Sequence, residues 1–350
     1  MQKYMLLHPA RLFRWLLWRI SRISILMGPL TLVRLRGNRY LRFPITIHRI
    51  NIEITSVCNM HCKHCPIGLG VRPGEHMKID VFRRSINEII SCIDSNLHFS
   101  ELHLYSGGEP LLHPRLPEIM SILAKAKKNK RFPRTVIYTN CTMLSPALTR
   151  ELVLSGGLDE IVFSIDMGRK EEYEALRVGG EFEAVLENAM EAVRVIREMN
   201  APVKTRLVSI FPLTAGDRSL LSSIAHEFNL AEGEGNLHPR FLELAGMVDE
   251  FNPRPLHNWT GDRDLGLKRG EYYSSSSKGI CAFIRRNIVI LSDGSITPCC
   301  ADLAGKGAYS HIMQSTLRAA IVRSSHRERM LRLMTLNRRR EIPLCRHCEV

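Results

Sequence analysis

The sequence predicts an α/β fold: a partial (β/α)6 TIM-like barrel followed by a small cysteine-bearing C-terminal domain. Two observations carry this reading. From residue 50 onward, short runs rich in β-branched residues alternate with amphipathic helical stretches, the pattern of a parallel sheet covered by helices. The alternation then stops, and residues 280–350 hold five of the ten cysteines. A length of 350 residues accommodates one large domain and a small one. With 45% apolar and 24% charged residues, the chain is neither disordered, nor collagenous, nor a disulfide-dense miniprotein.

Residues 1–49 form a basic segment of their own. Over 10–27 the spacing predicts an amphipathic helix, with Leu12, Leu16, Leu17, Ile20 and Ile23 on one face and Arg11, Arg14, Arg19 and Arg22 on the other. Ten of the bases lie within residues 1–52, which contain no acid, so only +4 of the net +14 is left for the rest. Charge concentrated in this way does not suit wrapping nucleic acid, and no specific nucleic-acid partner is expected. It does suit peripheral contact with an anionic membrane through residues 10–27. A helix docked on the barrel would show the same stripe. No run of 18 apolar residues and no small-residue cleavage site occurs, so the expected location is cytoplasmic, at most peripheral on the inner face of a membrane. Ten cysteines there point to metal or redox chemistry rather than to disulfides.

The expected barrel domain spans 50–245. Its strands are Ile50–Thr55, Glu101–Tyr105, Thr135–Thr139, Glu160–Ile165, Val203–Ile210 and Arg240–Leu244. Helical stretches at 78–93, 115–128, 146–155, 181–199 and 218–229 lie between them. Residues 246–279, with Pro253, Pro255, Gly261, Gly266, Gly270 and the run Ser274–Ser277, read as a linker or substrate loop. In 280–350, Asn287–Leu291 and Ser295–Thr297 flank Asp293-Gly294, a hairpin signal, and a basic helix follows over about 311–336.

Three motifs carry chemistry. Cys58, Cys62 and Cys65 follow the first strand in a C-x3-C-x2-C spacing, close enough to wrap one metal centre. Three thiolates suit an iron–sulfur cluster with one iron left open; a zinc site completed by His61 or His64 is the alternative. Gly107-Gly108-Glu109-Pro110 follows the second strand, where glycines allow close approach of backbone to a ligand and Glu109 can accept from an ammonium group. Both loops belong to the C-terminal ends of the strands, where barrel sites form.

On these two motifs the sequence resembles the radical S-adenosylmethionine (SAM) enzymes. The resemblance implies that the three cysteines hold a [4Fe–4S] cluster whose open iron binds SAM. Reductive cleavage of SAM then gives a 5′-deoxyadenosyl radical that abstracts a substrate hydrogen. It implies that Gly107, Gly108, Glu109 and Pro110 hold the methionine end, and that Asn140, Ser164, Asp166 and Arg177 supply ribose and carboxylate contacts. For Ser164 and Asp166, a helix cap or Asx turn is the competing role. A surface ion pair would equally explain Arg177. His64 stands where the family usually has an aromatic residue.

The third motif, Cys281 and Cys299 around Gly294 and then Cys345 and Cys348, resembles the SPASM/Twitch extension in its shorter form. That resemblance implies one auxiliary [4Fe–4S] cluster, with Cys300 the runner-up to Cys299, against a structural zinc site as the alternative. It is similar to the single-cluster pattern of an aminocyclitol dehydrogenase. The expected reaction is oxidation or epimerisation of a small polyol, sugar, aminocyclitol or lipid-linked glycan, with a reductant such as flavodoxin or ferredoxin. A peptide-modifying SPASM maturase and a non-catalytic zinc or nucleic-acid-binding protein are the other readings. Cys141 stands where similar enzymes have glycine, and a thiol there could return a hydrogen atom to a substrate radical; a small, tolerated turn residue is the alternative.

Overall fold

The computed structural model describes residues 32–35, 39–42, 45–211, 237–255, 259, 281–346 and 348. The helix expected over 10–27 and the one over 218–229 lie outside the described residues. Strands β1 (Leu32–Leu35) and β2 (Arg39–Arg42) form a separate antiparallel pair. Six parallel strands follow in sequence order: β3 (Ile45–Ile52), β4 (Leu97–His103), β5 (Arg134–Thr139), β6 (Glu160–Ser164), β7 (Lys204–Phe211) and β8 (Glu250–Pro255). Helices α1 (Ile79–Asp94), α2 (Leu116–Ala126), α3 (Pro146–Leu154), α4 (Lys170–Leu176), α5 (Phe182–Glu198) and α6 (Pro239–Met247) lie between them in sequence.

One face of each strand packs on the helices. Ile50, Ile52, Leu102, Leu104, Ile137, Ile161, Phe163 and Leu207 join a single buried core with Phe82, Ile86 and Ile89 of α1 and Val185, Leu186 and Ala189 of α5. Those helical residues recur every three to four positions, which is why both stretches fold as helices with one buried stripe. Helix α3 starts where the sequence signals it: the Ser145 hydroxyl accepts from Leu148 N at 3.2 Å, and proline occupies the first turn.

The other strand face lines the barrel interior. Its lowest level is a ladder of ion pairs of alternating sign that crosses all six strands. Arg49 meets Glu101 at 3.3 Å, Glu101 meets Arg134 at 2.8 Å, and Arg134 meets Glu160 at 3.2 Å. Arg206 then bridges Glu160 at 2.5 Å and Glu250 at 3.3 Å. Above this floor come Val136, Val162 and Val208, and above them Tyr105 and Tyr138.

The sixth strand differs from the expectation. Arg240–Leu244 lies inside helix α6, and the strand is Glu250–Pro255, within the segment read as a linker. Pro239 opens α6, and Phe241, Leu244 and Ala245 are its buried positions, a helical spacing. Two prolines are tolerated in β8 because among the described residues it is the edge strand and pairs only with β7.

The hairpin is as expected: β9 (Asn287–Ile290) and β10 (Ser295–Thr297) pair around Asp293-Gly294. Beyond α7 (Ala282–Arg286), β9 adds in parallel to the free edge of β3, so the C-terminal domain continues the barrel sheet through β10 and the short β11 (Ser310–His311). The basic helix breaks into α8 (Leu317–Val322) and α9 (Ser325–Thr335), where Ser324 caps α9. Glu88 of α1 accepts from Leu317 N at 2.9 Å and fastens α8 to the barrel. Among the described residues no helix is long and apolar enough to cross a membrane.

Candidate functional site: a cysteine-lined cavity at the barrel mouth

The loop after β3 carries Cys58, Cys62 and Cys65, and all three line one cavity of about 160 Å³. Its backbone is pinned from two sides. His61 N donates to Val178 O at 2.8 Å and Lys63 N to Leu176 O at 2.9 Å, while Glu109 N donates to Val57 O at 2.8 Å. Gly108 has φ +72°, and a Cβ there would run into the carbonyl of Thr55, so only glycine lets the two loops interlock. Gly107 and Gly108 also line the cavity; Pro110 does not, and instead opens a single turn behind it.

Glu109 is buried at the cavity wall. One carboxylate oxygen accepts from Asn140 N at 2.7 Å and the other from Leu111 N at 3.1 Å. Burial nevertheless raises its pKa to about 7, because two amides compensate only part of the lost hydration. Asn140 lines the cavity with its side chain held by Asn59 at 3.0 Å and 4.0 Å from the Cys58 sulfur.

Arg177 and Ser164 line the cavity beside the cysteines, and Asp166 does not. The Asp166 carboxylate is engaged elsewhere: Arg177 Nε donates to it at 2.6 Å and Ile210 N at 2.9 Å. Arg177 Nη2 donates to Ser164 at 2.8 Å. Asp166 therefore positions Arg177 rather than facing a ligand, a correction to the contact expected of it. Arg177 is no surface ion pair: burial works against its charge, but Asp166 and Cys62 outweigh that and keep it charged. Burial pushes the Cys62 thiol up to about 12, with Arg177 opposing, and it raises Cys58 and Cys65 as well. Iron must displace these protons, so cluster assembly is coupled to proton release.

Cys141 is fully buried in the core and does not line the cavity. Its φ of +66° is the left-handed conformation that favours glycine. Its thiol reaches the Thr139 carbonyl, at 3.7 Å, and accepts from the backbone of Ser164. This placement fits the tolerated turn residue and gives no support to a hydrogen donor at the mouth.

In the C-terminal domain, Cys299 and Cys345 are buried with Ile284, Met330, Met334, Ile342 and Leu344, and Cys281 packs against them. Arg339 donates to the Cys348 sulfur at 3.1 Å. Cys300 sits between the two sides: its sulfur is in hydrogen-bond contact with that of Cys299, Asn287 Nδ2 lies 3.8 Å from it, and Arg49 and Tyr105 are close by.

Sequence reasoning missed one buried junction. Glu53 accepts from Gly107 N at 2.9 Å and from the hydroxyl of Ser292 at 2.9 Å, and pairs with Arg72, whose Nε donates to Leu303 O at 2.7 Å. One carboxylate thus joins Gly107, the cysteine loop and the C-terminal hairpin. An acid immediately after a β-branched strand was the available signal.

These residues fit a SAM-bound cluster. Three thiols reach one cavity from a pinned loop, beside a buried carboxylate suited to an ammonium group. Among the described residues no three His, Cys, Asp or Glu side chains close on a single metal ion. A four-iron cluster asks for something wider, one thiolate on each of three irons.

The sequence pattern of the Radical SAM superfamily matches residues 52–223, and that of SPASM, an iron–sulfur cluster-binding domain, matches 281–349. A GTP 3′,8-cyclase of Chlorobaculum tepidum is 25% identical over 228 residues, 65% of this chain and 61% of that protein. A probable GTP 3′,8-cyclase of Methanococcus maripaludis is 30% identical over 155 residues, 44% of this chain and 48% of that protein. The chain spans about half to three-fifths of the length of these relatives. Among solved structures, BtrN in complex with AdoMet and 2-DOIA matches at TM-score 0.56 and 15% identity, over 88% of this chain and 95% of that one. anSMEcpe with bound AdoMet and a Cp18Cys peptide matches at 0.57 and 15%, over 82% and 83%. At such identity these two show a shared fold. The cofactors that go with the two matched domains are a [4Fe–4S] cluster with SAM and an auxiliary cluster. The order of the two domains along the chain gives its family: it belongs to the radical SAM superfamily, as an enzyme with a C-terminal SPASM domain.

Proposed function

We propose that Cys58, Cys62 and Cys65 hold the SAM-binding cluster, that Cys281, Cys299, Cys345 and Cys348 hold the auxiliary cluster, and that the enzyme oxidises a small hydroxylated molecule. The chemistry supplied by the bound cofactors is reductive SAM cleavage and hydrogen-atom abstraction. In this reading Glu109 accepts from the methionine ammonium, Arg177 offers positive charge beside the cysteines, and Asn140 and Ser164 orient the ribose. The observation that carries it is the one cavity lined by Cys58, Cys62, Cys65, Glu109, Asn140, Ser164 and Arg177 together with Tyr105 and Tyr138.

Oxidation rather than epimerisation is supported by the core-facing Cys141, which leaves no thiol from the β5 turn at the cavity. A substrate left one electron short then needs an electron acceptor, the role we assign to the auxiliary cluster. The test is anaerobic turnover of the reconstituted protein with SAM, a reductant and a panel of polyols, aminocyclitols and sugars. The expected product is a ketone two hydrogens lighter than its substrate, formed alongside 5′-deoxyadenosine. The relatives' name suggests the rival substrate, GTP: its conversion to a cyclised product, or modification of a peptide, would replace this reading.

A further inference from the structure

We infer that Arg254, with Tyr105, Tyr138 and Ser106, forms a seat for an anionic oxygen group on the substrate, a phosphate or a carboxylate. The inference rests on reading the cavity as the SAM and substrate site, and it names the substrate's charge.

The seat lies where the residues at the tips of β4, β5 and β8 meet: Tyr105 stacks on Tyr138 and is close enough to Arg254 to feel its charge, and all line the cavity. There the polar groups differ from those around the cysteines, where Glu109, Asn140 and Arg177 are all engaged by protein partners. Arg254 is partly buried and lines the cavity. Its Nε donates to Asn252 at 3.3 Å, and among the described residues it has no acidic partner. The contrast with the rest of the lumen is informative. Arg49, Arg134 and Arg206 below it each meet a glutamate, and Arg177 meets Asp166. A partly buried guanidinium facing a cavity without an acid beside it is available to a ligand that supplies the anion. With Nε engaged, the two Nη groups remain as a forked donor, which matches the paired oxygens of a carboxylate or phosphate.

Two hydroxyls support the same end. Tyr138 Oη and Ser106 Oγ belong to residues only 7% and 4% exposed, line the cavity, and have no hydrogen-bond partner among the described residues. Buried hydroxyls are nearly always paired, so each offers a donor to whatever occupies the seat. Tyr105 and Tyr138 stack at 4.2 Å with an interplanar angle of 27°, giving a flat wall beside the charge. An anion whose oxygens accept from these two hydroxyls and from Arg254, with the apolar body of the substrate against the tyrosine wall, satisfies the open groups.

The experiment uses the full chain, reconstituted anaerobically and saturated with SAM, and titrates it calorimetrically with inorganic phosphate and, separately, with succinate. One of the two is expected to bind saturably, and which one tells phosphate from carboxylate. Arg254→Gln should weaken that binding by about tenfold or more, and Arg254→Lys should recover part of it, since a point charge replaces the fork. Tyr138→Phe, which removes only a hydroxyl, should weaken it less and guards against a misfolded arginine variant. SAM binding without binding of either anion, or equal anion binding in the wild type and Arg254→Gln, overturns the proposal alone. Displacement of SAM by the anion also overturns it, because Arg254 would then serve the SAM carboxylate. Absence of SAM binding overturns the functional reading and this seat together.

Discussion

Burial raises the Glu109 carboxyl to about 7 although the amides of Asn140 and Leu111 oppose the rise. Below that pH a proton must leave before an ammonium can be bound. SAM affinity should therefore climb by up to about tenfold per pH unit toward 7 and level off above it. Titrations between pH 6 and 8.5 should show this slope, and Glu109→Gln should bind SAM weakly with no slope. In the ligand-free protein the sign is reversed. The folded state holds this proton more tightly than the unfolded chain, so the contribution to stability falls as pH rises from the ordinary carboxylate range to about 7. The cysteines and Glu109 were legible because residue type and spacing carry their chemistry. Asp166 and Cys141 were half legible: the sequence locates the end of a strand, but not which way each side chain turns. Glu53 was not legible, since Ser292 lies 239 residues away and no local pattern links them. Replacing Glu53 with Gln leaves Arg72 facing a neutral partner in the interior and should cost about 3 kcal/mol in anaerobic denaturant unfolding. An unchanged midpoint would argue that the junction is slack.

Among the elements, the six strands are held in register from inside by alternating arginine and glutamate. Glu160 is 1% exposed between Arg134 and Arg206, whereas Glu250 closes the ladder with a side chain 52% exposed. Glu160→Ala should accordingly destabilise by about 3 kcal/mol, and Glu250→Ala by less than about 1 kcal/mol. Similar losses in the two variants would contradict a buried floor. The ladder was readable in principle, because charges of alternating sign fall in successive strands, at Arg49, Glu101, Arg134, Glu160 and Arg206. The helices were readable from their three-to-four spacing. The sixth strand was not: its prolines resemble a loop, and only its place at the sheet edge permits them. Arg240–Leu244 looked like a strand because its apolar residues are few, and the proline that opens the helix precedes it.

At the scale of the whole molecule, the C-terminal domain does not hang from the barrel by a linker alone. Strand β9 extends the sheet from β3, Glu88 accepts from the first amide of α8, and Glu53 ties the hairpin to Gly107. The two cysteine groups are thus held by one continuous sheet yet lie in separate buried clusters, one in the barrel core and one among Ile284, Met330 and Met334. Removing one set of thiols should leave the other centre intact. The most direct test is iron and sulfide counting, with 5′-deoxyadenosine assay, on anaerobically reconstituted wild type and the Cys58→Ala, Cys62→Ala, Cys65→Ala triple variant. The wild type should hold about eight irons and cleave SAM, and the triple variant should keep about four and form no 5′-deoxyadenosine. Undiminished SAM cleavage in the variant, or stoichiometric zinc with no iron in the wild type, would contradict the account.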